Sequence, residues 1–493
     1  MSALPGTVPI LSCADARALE ATLFAGDETL EWAAMQRAGH GVAAALLDDA
    51  AEIGGLGDAP RILVLAGKGH NGGDALIAVA EILRKFPAAT AEVIFVFGER
   101  ALRPLAMRAW RGLATEGAER VVVRANLDSA VAYDACLDGV FGFQFRPPVE
   151  PRVATLIDQV NAHSVRLRGA VDLPSAGRFQ ADFTYATGSV KEPVVGVSEA
   201  GRARYLDLGF FRGDEPGKER VLTPAILRPL AGLRPSHSDK RSYGHVFVVG
   251  GCRSFPGAVL MSVLAALRSG AGLVTAFVPE SIVGAFAAQA PAAMWVGWPE
   301  TPGGGLALEG EHLLRSREER ATALVIGPGL GREPETLALA QSVVKASRVQ
   351  VVIDADALQP EIVSAGEAPR IVTPHAGEWA RIERTQGHAD ESGLPQTVFV
   401  QKGPSTRVVH GGETYHSFFG GPVLARGGSG DLLAGLIGGL LAQTPREPVL
   451  AAARGVVWHG MAADRLARAH GQTPICVTQW LDFLPAALRA SQA

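Results

Sequence analysis

Charge of one sign, cysteine and aromatic side chains are all scarce in this 493-residue chain. Fifty acidic residues stand against 46 basic ones, a formal net charge of −4, which leaves no broad basic surface for nucleic acid. The four cysteines, Cys13, Cys136, Cys252 and Cys476, are too scattered for a zinc motif or a disulfide framework and suit a reducing interior. Long apolar runs are missing as well. The stretch over residues 257–278 is broken by Arg268, and that over 432–442 is too short to cross a bilayer. Residues 1–10 carry no basic stretch followed by an apolar core, so no signal peptide is expected. A soluble, cytoplasmic protein without nucleic-acid or membrane partners is the expectation, with a symmetric homo-oligomer as the default assembly.

What the chain does have is a 47% hydrophobic and 19% charged composition, which excludes disorder, and 58 glycines, which suit tight turns between strands and helices. Its length allows two large domains or about three of ordinary size. Apolar periodicity gives way to charge, glycine and proline at 210–222 (FFRGDEPGKERVL), and the boundary is placed at 218, separating residues 1–218 from 219–493. In the first half, 61–66 (RILVLA), 92–97 (EVIFVF), 120–123 and 167–171 read as strands. Helices are expected over 12–49, in two pieces, 73–86 and 103–116. The second half repeats the alternation, with strands at 245–250, 273–278, 323–326, 351–353, 370–373 and 397–401 and helices at 257–270, 335–346, 429–442 and 459–469. Such βα repetition predicts largely parallel sheets covered by helices, an α/β fold in each half.

Two glycine-rich loops stand out. Gly67-Lys68-Gly69-His70-Asn71-Gly72-Gly73-Asp74 follows a strand and opens a helix, where glycines permit close backbone approach and free amides can hold phosphate. Its spacing is not GxGxxG. Two further segments reach the same sheet edge: DACLDGV (134–140) running into Phe141-Gly142-Phe143, and Asp172-Leu173-Pro174-Ser175. Carboxylates leaving the ends of different parallel strands converge in the crevice of an open sheet, although either aspartate alone reads more readily as a helix or turn cap. In the second half, Ala425-Arg426-Gly427-Gly428-Ser429-Gly430-Asp431 opens a helix as an anion nest. Asp431 would be repelled by phosphate there unless it took a proton from an attacking hydroxyl. The pattern is not GxxxxGK[ST], so a P-loop is excluded.

The runs NGGD, DGVFGFQF and VDLPS, with Met35 and Ala38-Gly39 upstream, resemble the N-terminal epimerase domain of the bifunctional NAD(P)H-hydrate repair enzymes. The resemblance implies a Rossmann-like α/β/α sandwich that binds K+ and interconverts the R and S epimers of NADHX and NADPHX at C6. It makes Asn71 and Asp138 side-chain ligands or supports of the cation, Ser175 a further oxygen ligand and Asp172 the acid–base group. Asn71, Gly72, Gly73 and Asp74, with the loop Gly142, Phe143, Gln144, Phe145 and Arg146, fall on nucleotide-binding positions. The family has two asparagines where this chain has His70-Asn71, Asp-Gly at Asp74-Ala75, and Pro-Ser-Gly at Pro174-Ser175-Ala176. A working site with altered loop geometry is expected, with His70 neutral and turned from the cation toward the substrate phosphates.

Residues 222–485 resemble the ADP-dependent NAD(P)H-hydrate dehydratase, which has a ribokinase-like α/β fold. The motifs occur in order: Tyr243-Gly244, Val249-Gly250-Gly251, Gly257-Ala258, Gly327-Pro328-Gly329-Leu330-Gly331, Asp354-Ala355-Asp356-Ala357-Leu358, Thr373-Pro374-His375 with Glu378, Lys402-Gly403 and Gly427 to Asp431. The resemblance makes Asp431 the catalytic base and puts Gly430 at the phosphates. Lys402, Gly403, Pro404, Ser405 and Thr406 then line the AMP portion, while Ala258, Gly331 and His375 meet the substrate. ADP is the implied co-substrate, with Mg2+. Asp354 and Asp356 either hold metal-bound water or cap, and His459 reads as packing. Two other readings stay open: a ribokinase-like small-molecule kinase with an accessory α/β domain, and a dinucleotide-sensing binding protein. The epimerase-like half argues against the first, and Asp431 against the second.

Overall fold

Strand and helix alternate along the chain because short β-branched runs are punctuated by glycine loops that reverse into helices. The computed structural model describes residues 4–213, 215–386 and 396–492. The chain divides into two units, one of Val8–Gly217 with Ala467–Pro474, the other of Met1–Thr7, Lys218–Leu466 and Ile475–Ala493.

The strands of the first are β1 (Thr7–Leu11), β2 (Arg61–Ala66), β3 (Thr90–Phe95), β4 (Val121–Val123), β5 (Ala135–Gly139), β6 (Arg168–Val171), β7 (Phe183–Thr187), β8 (Val190–Lys191) and β9 (Arg202–Leu206). Its sheet runs β4-β3-β2-β5-β6-β7-β9 with every pair parallel, and β1 pairs with β8. Counted from β2 this is the 3-2-1-4-5-6 order of doubly wound sheets, whose direction switches between β2 and β5. Alternate residues of β2 face opposite layers. Ile62, Val64 and Ala66 pack with Met35, Leu46, Leu76 and Leu113, whereas Leu63 and Leu65 pack with Ile157, Val160 and Phe179. Helices Glu28–Ala50, His70–Lys85 and Pro104–Gly117 thus cover one face and Pro151–Ala162 the other. The segment DACLDGV, read as a lead-in to a loop, supplies the central strand β5, whose residues are all buried. Asp138 within it hid the strand by breaking the apolar run.

The second unit contains β10 (Glu219–Leu222), β11 (His245–Val249), β12 (Leu273–Pro279), β13 (Met294–Trp298), β14 (Ala323–Ile326), β15 (Gln350–Ile353), β16 (Arg370–Val372), β17 (Thr397–Gln401), β18 (Thr406–His410) and β19 (Glu413–Ser417). They lie in the order β13-β12-β11-β14-β15-β16-β17-β18-β19-β10. Pairs are parallel from β13 to β17, and β10 is parallel to β19. The β18–β19 pair is an antiparallel hairpin turned at Gly411-Gly412, both left-handed with φ of 59° and 78°. The helix expected over 459–469 instead spans Pro448–His470, because AAARGVV ahead of it is buried all round and shows no apolar stripe. Among the described residues no helix is long and apolar enough to cross a membrane.

Candidate active sites

In the first unit the ends of β2, β5 and β6 meet around Asn71, in the first turn of the His70–Lys85 helix. Its Nδ2 donates to the carbonyls of Phe141 at 3.3 Å and Val171 at 2.8 Å, tying three loops together. That turns Oδ1 toward Gly142, where a Cβ would lie 2.6 Å from it, so only glycine permits the approach. Gly72 and Gly73 are buried. A Cβ on Gly72 would strike the Gly67 carbonyl, and one on Gly73 would lie 2.7 Å from Met35 Sδ.

Asp138 is completely buried. Its Oδ1 accepts from Ser175 Oγ at 2.6 Å and the Val140 amide at 3.1 Å, and its Oδ2 from the Ser175 amide at 2.8 Å. Ser175 Oγ in turn accepts from the Phe141 amide at 2.9 Å. Burial pushes the Asp138 carboxyl up to about 6, against the hydrogen bonds, which favour its charge. No cationic side chain among the described residues pairs with it.

Asp172 leaves β6 in the left-handed region at φ 69°, rare for a residue with a Cβ. Its amide donates to the Tyr185 carbonyl at 2.9 Å. Its Oδ1 accepts from Lys191 Nζ at 2.5 Å, the two side chains being 2% and 1% exposed, while Oδ2 is buried without a partner. Lys191, on the two-residue β8, went unnoticed in the sequence because it lies in no glycine-rich motif and in no apolar run, following Thr187-Gly188-Ser189-Val190. Asp74 is buried with Oδ1 unpartnered, and burial, with Asp172 and Glu20 adding, holds its pKa well above the carboxylate range. Burial likewise raises Glu20 to about 7, with Asp172 and Glu31 reinforcing it and Lys191 opposing.

A cavity of about 450 Å³ opens beside these groups, walled by Phe141, Gly142, Phe143, Phe145, Leu173 and Cys13 among others. Gln144 and Arg146, on the same loop, are exposed and outside its wall. His70 is half exposed and lies 3.6 Å from the Glu31 carboxylate. Desolvation, with Arg103, keeps its pKa below the ordinary value despite Glu31.

In the second unit Gly428, at φ 95°, caps the Ser429–Gln443 helix. Ser429 Oγ donates back to the carbonyls of Leu424 at 2.7 Å and Arg426 at 3.0 Å, which leaves backbone amides as the anion donors. Opposite stand the ends of three adjacent strands. Asp354 follows β15, Thr373 follows β16 and Lys402 follows β17. Asp354 Oδ1 accepts from Lys402 Nζ at 2.9 Å and from Thr373 Oγ1 at 2.6 Å. A Cβ on Gly430 would sit 3.2 Å from Lys402 Nζ, so Gly430 lets the ammonium approach the nest. Burial works against the charge on Lys402, but Asp354, with Glu378 and Asp431, outweighs it and raises the pKa. Asp431 is raised to about 7 by burial, then by Asp354 and Asp356, with Lys402 and its own amide opposing.

Asp356 ties down the Gly327–Gly331 loop, accepting from the Gly331 amide at 3.1 Å and Arg332 Nε at 3.0 Å. Ala258 packs under that loop, 3.0 Å from where a Cβ on Gly329 would be. His375 is exposed, its Nδ1 accepting from the Gly377 amide at 3.0 Å and its own amide donating to Glu378 at 2.9 Å. Gly403 and Pro404 are exposed in the turn before β18, which Thr406 opens, and Ser405 Oγ lies 3.5 Å from the Ser417 carbonyl. His459 is buried against Trp480, ring centroids 4.8 Å apart, and burial lowers it to about 4. Among the described residues no three His, Cys, Asp or Glu side chains cluster as metal ligands.

Comparison with known proteins finds two family matches along the chain. A family described as YjeF-related protein N-terminus matches residues 32–194, and the NAD(P)H-hydrate dehydratase family matches 246–481. A bifunctional NAD(P)H-hydrate repair enzyme of Moorella thermoacetica is 33% identical over 87% of this chain and 87% of its own. Another, from Gloeobacter violaceus, is 34% identical over 94% of each. Among solved structures, a ribokinase-like superfamily protein of Enterococcus faecalis is 30% identical, covering 56% of this chain and 98% of that one at a TM-score of 0.48. The architecture is Rossmann-like in the first unit and ribokinase-like in the second. Matched along nearly its whole length, the chain belongs to the family of bifunctional NAD(P)H-hydrate repair enzymes.

Proposed function

We propose that this chain repairs hydrated nicotinamide nucleotides, epimerising NADHX and NADPHX at C6 in its first unit and dehydrating the S form in its second. The observation that carries the reading is Asp431: a carboxyl raised to about 7, in the first turn of a helix that opens at the glycine nest, with Lys402 beside Gly430. Such a group takes the proton from the C6 hydroxyl near neutral pH. The hydroxyl oxygen attacks the β-phosphoryl of ADP and AMP departs, Lys402 and the nest amides holding the phosphates. The ring nitrogen then pushes out phosphate, a far better leaving group than hydroxide, and the dihydronicotinamide returns. Asp354, beside Lys402, fits a hard cation held mainly by phosphates; Mg2+, when bound, would neutralise phosphate charge.

In the first unit, ring opening and loss of water both require proton exchange at the substrate hydroxyl, which Asp172 performs. The cavity beside it accepts the hydrated ring. Asn71 Oδ1 and the buried Asp138 carboxylate, which has no cationic partner among the described residues, fit an alkali ion such as K+, with Ser175 holding Asp138 in place. Gly430 and Lys402 to Thr406 take the nucleotide, while Ala258, Gly331 and His375 take the hydrate. Balanced charge and free cysteines support a cytoplasmic enzyme, and we include a homo-oligomer in the proposal.

Both epimers incubated with ADP, Mg2+ and K+ test the reading by the dihydronicotinamide absorbance. Complete recovery from both is expected. Phosphorylated product without the chromophore would make the second unit a kinase instead.

A further inference from the structure

We propose that Lys191 is a positioning residue for epimerisation, holding Asp172 Oδ1 so that Oδ2 is the one oxygen exchanging a proton with the substrate. The inference rests on the epimerase reading above. A free carboxylate presents two equivalent oxygens, and rotation swaps them. Here the ammonium is 2.5 Å from Oδ1 and both side chains are almost wholly buried, while Oδ2 has no partner at all.

Lys191 is itself fixed from elements other than the one carrying Asp172. It pairs with Leu11 through the parallel β1–β8 ladder, and its Nζ also donates to the Thr187 carbonyl at 3.1 Å. Asp172 is held from the other side by the Tyr185 carbonyl, in a left-handed backbone conformation that a non-glycine residue keeps only when its surroundings enforce it. One anchor thus fixes the Asp172 backbone and the other its Oδ1.

The surrounding charge explains why a cation is needed. Asp74 from the His70–Lys85 helix and Glu20 and Cys13 from the Cys13–Phe24 helix all interact with the charges of this pair, and Glu192, next to Lys191, adds its own charge at Cys13. Without the ammonium, Asp172 would meet only acidic neighbours among these, and a buried cluster of carboxyls shares protons instead of assigning them. Lys191 Nζ also lies 5.1 Å from the centre of the Phe143 ring, which lines the cavity, so the same ammonium braces the wall facing the substrate. Buried ion pairs contribute little net stability. Retaining one at an unpartnered carboxylate oxygen points to chemistry.

Resolved epimers separate the outcomes. With R-hydrate and ADP, recovery of the chromophore requires epimerisation, whereas S-hydrate bypasses it. A wild-type chain unable to accelerate R-hydrate recovery overturns the epimerase reading itself. Given wild-type turnover, Lys191→Met, which keeps the volume and removes the charge, is expected to lower kcat on R-hydrate by about 100-fold with KM within about threefold. Lys191→Ala should recover by about tenfold in ethylammonium at about 0.1 M but not in 1-propanol. Lys191→Met turning over R-hydrate within about threefold of wild type overturns the proposal. So does equal recovery of Lys191→Ala in both additives, which would mean that Lys191 only fills space. If Lys191→Met fails to fold, the additive comparison decides alone.

Discussion

Asp431 acts as a base only when ionised, so the sign of its pH dependence follows from the raised pKa. Between pH 6 and 8 the dehydration kcat/KM should climb as pH rises through about 7 and level off above it. Asp431→Asn keeps the shape and removes the base, and S-hydrate dehydration is expected to fall by about 100-fold or more while epimerisation survives. A flat wild-type profile over that range, or near-normal turnover by the variant, would remove Asp431 from the role. At the other site, Asn71→Ala deletes Oδ1 together with both ties to the Phe141 and Val171 carbonyls. Potassium titration of epimerase activity should then shift to higher concentration; an unchanged requirement would show that Asn71 does not serve the cation.

Between elements, the Ser429–Gln443 helix lies against the Pro256–Arg268 helix through glycine. A Cβ on Gly435 would strike the Ser262 carbonyl, a backbone atom that cannot swing away. Glycine-to-alanine changes in a helix ordinarily stabilise by up to about 1 kcal/mol, but overpacking costs about 1–3 kcal/mol, so here the second effect wins. Gly435→Ala should lower the denaturant midpoint and loosen the nest at the same helix's start. Gly284, in the Val283–Gln289 helix, is the control: its Cβ would meet nothing within 4 Å, and Gly284→Ala should be neutral or stabilising. Equal midpoints for the two variants would mean the helices can part without penalty.

At the scale of the whole molecule, the candidate acid–base groups sit in different units, Asp172 in one and Asp431 in the other. Asp172→Ala should therefore keep S-hydrate dehydration and lose rapid use of R-hydrate, the mirror of Asp431→Asn. Assays on resolved epimers check this. Equal loss on both substrates after Asp172→Ala would indicate a shared site or a folding failure.

Much of this was legible in sequence because short-range signals report backbone geometry. A β-branched run followed by polar or glycine-rich residues marks a strand end, and in a parallel sheet strand ends are where ligands bind, which brought the 67–74 loop and Asp172 forward. Asp431 came from the glycine nest that opens its helix, and Lys402 and the role of Asn71 from the family resemblance. Signals failed where burial overrode pattern. β5 carries an aspartate whose side chain is held chiefly by Ser175, 37 residues on, and the Pro448–His470 helix begins in a stretch buried all round. The pairings Lys191–Asp172 and Lys402–Asp354–Thr373 had no local signal at all, since each is made between different strand ends. Local sequence thus determined which segments are strands, helices and glycine loops. Strand order alone decided which of their ends are neighbours, because that order follows from packing helices on both faces of a twisted sheet rather than from any one segment.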